Sequence, residues 1–266
     1  MIKLGANSVL FAGFDLETAL NHIHLAGYDG VELSAIQGMC EHLELDNWQA
    51  QADHIRELAE QYDLELTAME VASTAEERLI PAFEAGAGLG IPVINVGSGG
   101  KSDVEEDFQA SVAHLARMAD RAHEHGVTLC VKAHVGAAIY NTPTTLRAME
   151  AIDSPGVGIN MDPSHIHRAG ENTVEALKAV ISRVKHVHIR DCAVPEGGPG
   201  APETQACGRG DIDLFGYVRL LHESGLDLAP SLEVIGADEY ELGAVATIAA
   251  ESRGYLNACL KACATG

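Results

Sequence analysis

The strongest constraint on the fold is an eightfold alternation of short β-branched runs with longer segments of helical period. The runs predicted to be strands cover residues 2–6, 30–33, 64–71, 92–96, 127–134, 156–162, 185–191 and 228–235. Between them, apolar residues recur at three- and four-residue spacing, as at Phe108, Val112, Leu115 and Ala119. Alternating strands and helices predict a parallel sheet, and eight such units in 266 residues favour a closed (β/α)8 TIM barrel. An open doubly wound sheet is the alternative.

Length and composition predict a single domain over residues 1–266. Hydrophobic residues make up 47% of the chain, which is enough for one large core, and we find no linker or low-complexity stretch. The sequence shows neither a secretory signal nor an apolar run of about 20 residues, the length of a membrane span. We therefore expect a cytoplasmic protein with no membrane partner.

Charge and cysteine content exclude several classes of protein. The 17 basic and 39 acidic side chains give a net charge of -22, which repels phosphate backbones. Nucleic acid is therefore not an expected partner. The six cysteines are scattered along the chain, so they predict neither a disulfide framework nor a zinc knuckle.

Ionisable residues cluster at the predicted strand ends. In a barrel the active site lies at the carboxyl ends of the strands, and the strand period of two sorts residues by face. The inward-facing residues at the strand ends are Lys132 and His134 on strand five, Asp162 on strand six, His188 and Arg190 on strand seven, and Glu233 on strand eight. Glu70 ends strand three. Because an isolated buried charge is costly, this concentration predicts a functional site. A long loop over residues 193–210 follows strand seven and should border that site.

Five motifs carry a resemblance to a known family. They are Gly-Tyr-Asp-Gly-Val-Glu-Leu from position 27, Asn-Met-Asp-Pro-Ser-His from 160, His-Val-His-Ile-Arg-Asp from 186, Gly-Arg-Gly-Asp-Ile-Asp from 208, and Glu233. Over nearly its whole length the chain resembles the xylose isomerase-like barrel superfamily, particularly its sugar and sugar-phosphate isomerases and epimerases. That resemblance implies the barrel fold and a carbohydrate substrate.

The resemblance also implies a set of site residues. In the epimerases of this superfamily a divalent metal (Mn, Mg or Zn) is held by Glu, Asp, His and Glu from strands five to eight. The last three correspond to Asp162, His188 and Glu233, whereas the first corresponds to Lys132. Substrate-binding roles are implied for His165, for Arg190 or Arg209, and for Glu32. From their strand ends, Glu70 and His134 are further candidates for contact with substrate hydroxyls.

Lys132 brings the implied metal into question. A divalent cation about 4 Å from an ammonium is repelled by on the order of 8 kcal/mol at a moderate effective dielectric constant. In one arrangement protonated Lys132 replaces the metal, pairs with Glu233 and Asp162, and acts as an electrophile. In the other, metal binds Asp162, His188 and Glu233, with His134 as fourth ligand, and Lys132 is a neutral base. Neighbouring carboxylates favour the first.

The predicted activity is proton transfer next to a carbonyl, hence a sugar or sugar-phosphate isomerase or epimerase. Glu233 would be the base and Lys132 the acid or electrophile. A lyase or dehydratase of a keto sugar or keto cyclitol is the first alternative, because it also begins with abstraction of an α-proton. A non-catalytic sugar-binding barrel is the second. We expect a small carbohydrate or sugar-phosphate ligand and no organic cofactor, and the resemblance is compatible with a homo-oligomer.

Overall fold

Eight parallel strands form a closed barrel. The computed structural model describes residues 2–193 and 198–265. Its strands are β1 (Gly5–Asn7), β2 (Gly30–Ile36), β3 (Cys40–Glu41), β4 (Glu65–Ala72), β5 (Val93–Val96), β6 (Thr128–Lys132), β7 (Val157–Met161), β8 (Val184–Ile189) and β9 (Ser231–Leu232). All except β3 pair in parallel with both neighbours, and β1 joins β2 to β9, which closes the barrel. The predicted TIM barrel is confirmed.

Helices surround the barrel. They are α1 (Leu16–Leu25), α2 (Trp48–Gln61), α3 (Glu76–Leu89), α4 (Glu105–Glu124), α5 (Thr142–Ala151), α6 (Pro163–Arg168), α7 (Thr173–Val180), α8 (Leu214–Ser224) and α9 (Leu242–Thr265). The side chain of Asp15 accepts a hydrogen bond from the Thr18 amide and begins α1, which satisfies an amide that the helix leaves unpaired. Gly90 ends α3 at φ +76°, a left-handed conformation that favours glycine. No helix in residues 2–193 and 198–265 has the length and apolar character needed to cross a membrane.

The observed strands differ from the predicted ones mainly at the two ends of the chain. The last predicted strand, residues 228–235, is reduced to β9, and its start is delayed because Pro230 has no amide hydrogen to donate to a ladder. Its carbonyl still accepts from the Gly5 amide at 2.8 Å. The antiparallel strand β3, which pairs with the end of β2, was not predicted. Two residues are too few to show a period.

The barrel interior is polar towards the carboxyl ends of its strands. A small apolar cluster of Ala68, Val93 and Cys130 lies inside it. Glu70, Asn95 and Lys132 each lie two residues further along the same face of these strands, and all three are buried. Other polar side chains buried in the barrel are Asn7, Glu32, Asn160, His186 and His188. Barrels of this kind are normally filled with Val, Ile and Leu, so this polar interior positions groups for chemistry.

The long loop after β8 is tied to the end of the barrel. Residues 194–197 of the predicted loop, residues 193–210, lie outside the described residues. Further along, Gln205 donates from Nε2 to the carbonyls of Gly200 and Ile235 at 3.0 Å each. Its Oε1 accepts from the Ile235 amide at 3.2 Å. Gln205 therefore fixes this part of the loop next to the strand end that carries Glu233.

Candidate active site

At the carboxyl end of β6, the Lys132 ammonium lies between three acceptors. Its Nζ is 2.8 Å from Glu233 Oε1, 3.0 Å from Glu70 Oε1 and 3.1 Å from His188 Nδ1. Burial opposes the charge, but the carboxylates of Glu233, Glu70 and Asp162 outweigh it and raise the pKa of Lys132 above its ordinary value. At neutral pH the side chain is therefore an ammonium whose three protons match three acceptors.

The Glu233 carboxylate, just after β9, lies between two cations. Its Oε1 accepts from Lys132, and its Oε2 is 3.5 Å from a nitrogen of the Arg190 guanidinium. Burial alone would raise the pKa of Glu233, but the Lys132 ammonium and the Arg190 guanidinium hold it well below the ordinary value. Among the described residues Oε2 has no hydrogen-bond partner, although it is buried. An ionised oxygen without a donor is well suited to accept a proton.

Glu70, in β4, is the second carboxylate on the ammonium. Its Oε1 accepts from Lys132, while its Oε2 is 3.1 Å from His188 Nε2 and accepts from Asn7 Nδ2 at 3.3 Å. Burial raises the pKa of Glu70 to about 7, against the opposing effect of Lys132 and His188. Glu70 and Glu233 thus contact one ammonium but differ in protonation near neutral pH, a pattern that separates acid from base in active sites.

The contacts of His188 define its tautomer. Two donors face Nδ1 at 3.1 Å each, Lys132 Nζ and Asn160 Nδ2, and Nε2 is 2.8 Å from Glu32 Oε2. We assign the neutral ring with its proton on Nε2, because a protonated Nδ1 would point at an ammonium. Glu32 also contacts His186 Nε2, at 3.2 Å, and so lies one layer below Lys132.

Arg190, just after β8, is buried and held from several sides. Its Nε donates to Ser164 Oγ at 2.8 Å, and other guanidinium nitrogens lie 3.6 Å from Asp162 Oδ2 and 3.4 Å from Gln205 Oε1. Asp162 also begins α6, because its Oδ1 accepts from the Ser164 amide and hydroxyl at 2.8 and 2.7 Å. Burial raises the pKa of Asp162, but Arg190 and other cations lower it below its ordinary value. Asp162 therefore orients Arg190 from the far side of the site.

A cavity of about 460 Å³ lies above these groups, a volume typical of sites for small ligands. Its polar lining includes Glu70, Lys132, His134, His165, Arg190 and Glu233; its apolar lining includes Ile36, Met39, Ala72, Ala137, Pro199 and Ile235. The rings of His134 and His165 pack with centroids 4.1 Å apart. Burial lowers the pKa of both rings, so both are neutral at neutral pH and can share hydrogen bonds with hydroxyl groups.

The structure brings most of the predicted site residues together. Six of them line the cavity, namely Lys132, Glu233, Glu70, His134, His165 and Arg190. Asp162 and His188 lie directly behind these, whereas Glu32 is deeper in the barrel and does not line the cavity. Arg209 is exposed and also outside the lining. It forms two hydrogen bonds of 2.7 Å with the carboxylate of Glu251 in α9.

Several residues of the site were not predicted. Ser164 accepts a hydrogen bond from Arg190. Its position in the run Asp-Pro-Ser, which is typical of a helix start, could have indicated that it lies next to Asp162 at the strand end. Arg168, at the end of the same short helix, lines the cavity. Ile36, the last residue of β2, and Met39, in the turn before β3, supply part of the apolar wall. Nothing in a short apolar turn distinguishes such a wall from ordinary packing.

Fold and site together define a class of protein. A closed parallel barrel carries, over the carboxyl ends of its strands, a cavity whose lining includes a lysine, an arginine and two carboxylates. This is a TIM-barrel protein with a cluster of ionisable side chains in the position where barrel enzymes have their active sites. The chain belongs to the xylose isomerase-like TIM barrel family, whose model matches residues 20–259.

Curated relatives of the chain are named as dehydratases. An inosose dehydratase of Mesomycoplasma hyopneumoniae is 30% identical over 86 residues, which is 32% of this chain and 29% of that protein. An inosose dehydratase of Geobacillus thermodenitrificans is 28% identical over 141 residues, 52% of this chain and 45% of that protein. The chain therefore matches less than half the length of these two relatives.

Solved structures match the fold over nearly the whole chain. A D-tagatose 3-epimerase-like protein superimposes with a TM-score of 0.78 at 20% identity, covering 99% of both chains. The probable 3-DHS dehydratase AsbF of Bacillus anthracis gives 0.77 at 16% identity, covering 96% of this chain and 99% of that one. The IOLI protein, whose structure has a binding zinc atom, gives 0.73 at 20% identity, covering 99% and 98%. At these identities the likeness establishes the fold.

At the position where the resemblance implies a divalent metal, the side chains around a protonated Lys132 do not fit one. Two groups of described residues have donor atoms within 4.8 Å of one another, Glu70 with His188 and Glu233, and Glu32 with His186 and His188. In the first group, however, all three residues already contact the Lys132 ammonium. Asp162, the ligand that the resemblance implies, is in neither group and faces Ser164 and Arg190.

Proposed function

We propose that this protein is a lyase that removes water from a small polyhydroxylated ketone, a keto cyclitol or keto sugar. The observation that carries the proposal is the Glu233 carboxylate, which is held ionised beside Lys132 and Arg190 at the wall of the cavity. A carboxylate base beside fixed cations is the arrangement that abstraction of a proton next to a carbonyl requires.

Each group of the lining has a part in this reaction. Glu233 takes the α-proton as the carbon–hydrogen bond breaks. Lys132 acts as acid or electrophile, because its ammonium carries protons that a carbonyl oxygen or a departing hydroxyl can share. His134 and His165 contact hydroxyl groups of the substrate, and Arg190, fixed by Ser164 and Asp162, orients an oxygen.

Two observations favour dehydration over the isomerase or epimerase reaction. The curated relatives that match in sequence are inosose dehydratases. Position 132 carries an ammonium where the resemblance implies one of the two metal-binding glutamates of the epimerases. An epimerase remains the second candidate, because Glu70 provides another carboxylate in the lining and the fold superimposes on an epimerase-like protein.

Turnover of a panel of ketones tests the proposal. Inosose, D-tagatose and D-allulose would be incubated in deuterated buffer, and products read by mass spectrometry and proton NMR. We expect a product lighter by one water from at least one cyclic ketone, with none formed by Glu233→Gln. A product that keeps all its hydroxyl groups, has inverted configuration and carries deuterium at the inverted carbon would decide for the epimerase. Saturable binding without deuterium uptake would decide for a non-catalytic sugar-binding barrel.

A further inference from the structure

We propose that the ammonium of Lys132 is the resident cation of this site, in the place where the resemblance implies a divalent metal, and that the protein functions without metal. The inference deepens the proposed function, on which its catalytic part rests. Its central test measures metal binding and needs no turnover, so the two can fail separately.

The geometry of the donors supports this substitution. The ligand atoms of Glu70, His188 and Glu233 are close enough to share one cation, and Lys132 Nζ is 3.0, 3.1 and 2.8 Å from them. These are ordinary hydrogen-bond lengths for an ammonium. A zinc ion would need donors at about 2.0–2.2 Å, and hence both a closer cage and removal of the amine from its centre.

Lys132 is not the only cation close to these carboxylates. Arg190 approaches Glu233 Oε2 at 3.5 Å and Asp162 Oδ2 at 3.6 Å. Asp162 is further occupied as the cap of α6, through Ser164. Two fixed side-chain cations therefore share the anionic groups that a metal would need. A divalent ion added to this set would bring two more positive charges close to Lys132 and Arg190.

Changing the residue at position 132 should restore a metal site. Lys132→Glu removes the repelling charge and adds a carboxylate, giving three carboxylates and His188 around one point. We expect Mn²⁺, added alone at millimolar concentration, to bind this variant at least about a hundredfold more tightly than the unmodified protein, by titration calorimetry and by the shift in melting temperature. The purified unmodified protein should hold well under one equivalent of divalent metal by elemental analysis.

Two control variants distinguish the effect of removing the positive charge of Lys132 from the effect of adding a metal-binding carboxylate. Lys178→Glu makes the same change of charge on the exposed face of α7 and should bind Mn²⁺ no better than the unmodified protein. Lys132→Met removes the ammonium without adding a ligand, so its affinity should lie well below that of Lys132→Glu. If Lys132→Glu fails to fold, elemental analysis and calorimetry of the unmodified protein decide alone. One tightly bound equivalent of Mn²⁺, Mg²⁺ or Zn²⁺ in the unmodified protein would overturn the proposal, as would equal Mn²⁺ affinity in all four proteins.

Discussion

Glu233→Gln separates the role of Glu233 as a base from its role as a partner of two buried cations. The amide keeps the shape of the side chain and an oxygen that can accept from Lys132. It removes the negative charge beside Lys132 and Arg190 and the basic oxygen that abstracts a proton. Lys132 retains Glu70 as a partner, and Arg190 retains Asp162. The variant should therefore fold, at reduced stability.

Both losses have an expected size. Removing one partner of a buried ion pair costs about 3–5 kcal/mol, and we expect the lower figure because each cation keeps a second carboxylate. In a domain of this size, about 3 kcal/mol lowers the melting temperature by roughly 6–12 °C. Loss of a general base slows proton abstraction by at least about a hundredfold, equivalent to about 2.7 kcal/mol in the barrier.

Deuterium uptake and thermal unfolding measure the two effects independently. Proton NMR in deuterated buffer follows exchange at the carbon next to the carbonyl of a ketone that the unmodified protein turns over. Glu105→Gln is the matched control, because it makes the same replacement in an exposed pair with Arg147 and should leave exchange unchanged. An exchange rate for Glu233→Gln equal to that of the unmodified protein would refute the assignment of the base, whatever its melting temperature.

Three further predictions concern Glu70, Arg190 and Arg209. Because burial raises the pKa of Glu70 to about 7, the folded protein binds this proton more tightly than the unfolded chain does, and Glu70 contributes less stability as pH rises. The stability of the unmodified protein relative to Glu70→Gln, from urea unfolding, should fall between about pH 4.5 and 7. Arg190→Lys keeps the positive charge but loses the planar guanidinium, whose Nε donates to Ser164. It should lower kcat by about 10²–10³ in steady-state assays. Arg209→Ala removes only an exposed pair, so urea unfolding should change by under about 1 kcal/mol, and its KM will show whether Arg209 reaches substrate.

The fold was predictable because its signal repeats eight times. β-branched runs separated by amphipathic segments predict a barrel even when single boundaries are wrong, and the closed order of the strands confirms it. Boundaries failed where local chemistry intervened, as at Pro230, which delays the start of β9. The two-residue strand β3 could not have been found, because pairing that short depends on where the turn folds back rather than on any pattern.

The members of the site were more predictable than their partners. The strand-end rule selected Lys132, Arg190 and Glu233, which do line one cavity. The sequence analysis predicted that Lys132 pairs with Glu233 and Asp162. In the structure the carboxylates in direct contact with Lys132 are those of Glu233 and Glu70. Asp162 is occupied by Ser164, and choosing between two inward carboxylates requires the stagger of the strands, which a single sequence does not contain.

The convergence of Glu70 and Glu233 on one ammonium bears on the type of reaction. Epimerisation with two carboxylates requires one group on each side of the reacting carbon, to remove a proton from one face and return it to the other. Here Lys132 occupies the position where the resemblance implies one of the epimerase glutamates. Glu70, the other carboxylate of the lining, contacts the same ammonium as Glu233, and ligand atoms of the two lie within 4.8 Å of each other, so we expect them not to lie on opposite sides of a reacting carbon. One base beside a fixed cation can remove a proton and assist a departing hydroxyl, which is what dehydration requires. The site should therefore exchange the α-proton of a non-eliminating ketone with retention of configuration, and formation of the epimer at a rate equal to exchange would contradict this reasoning.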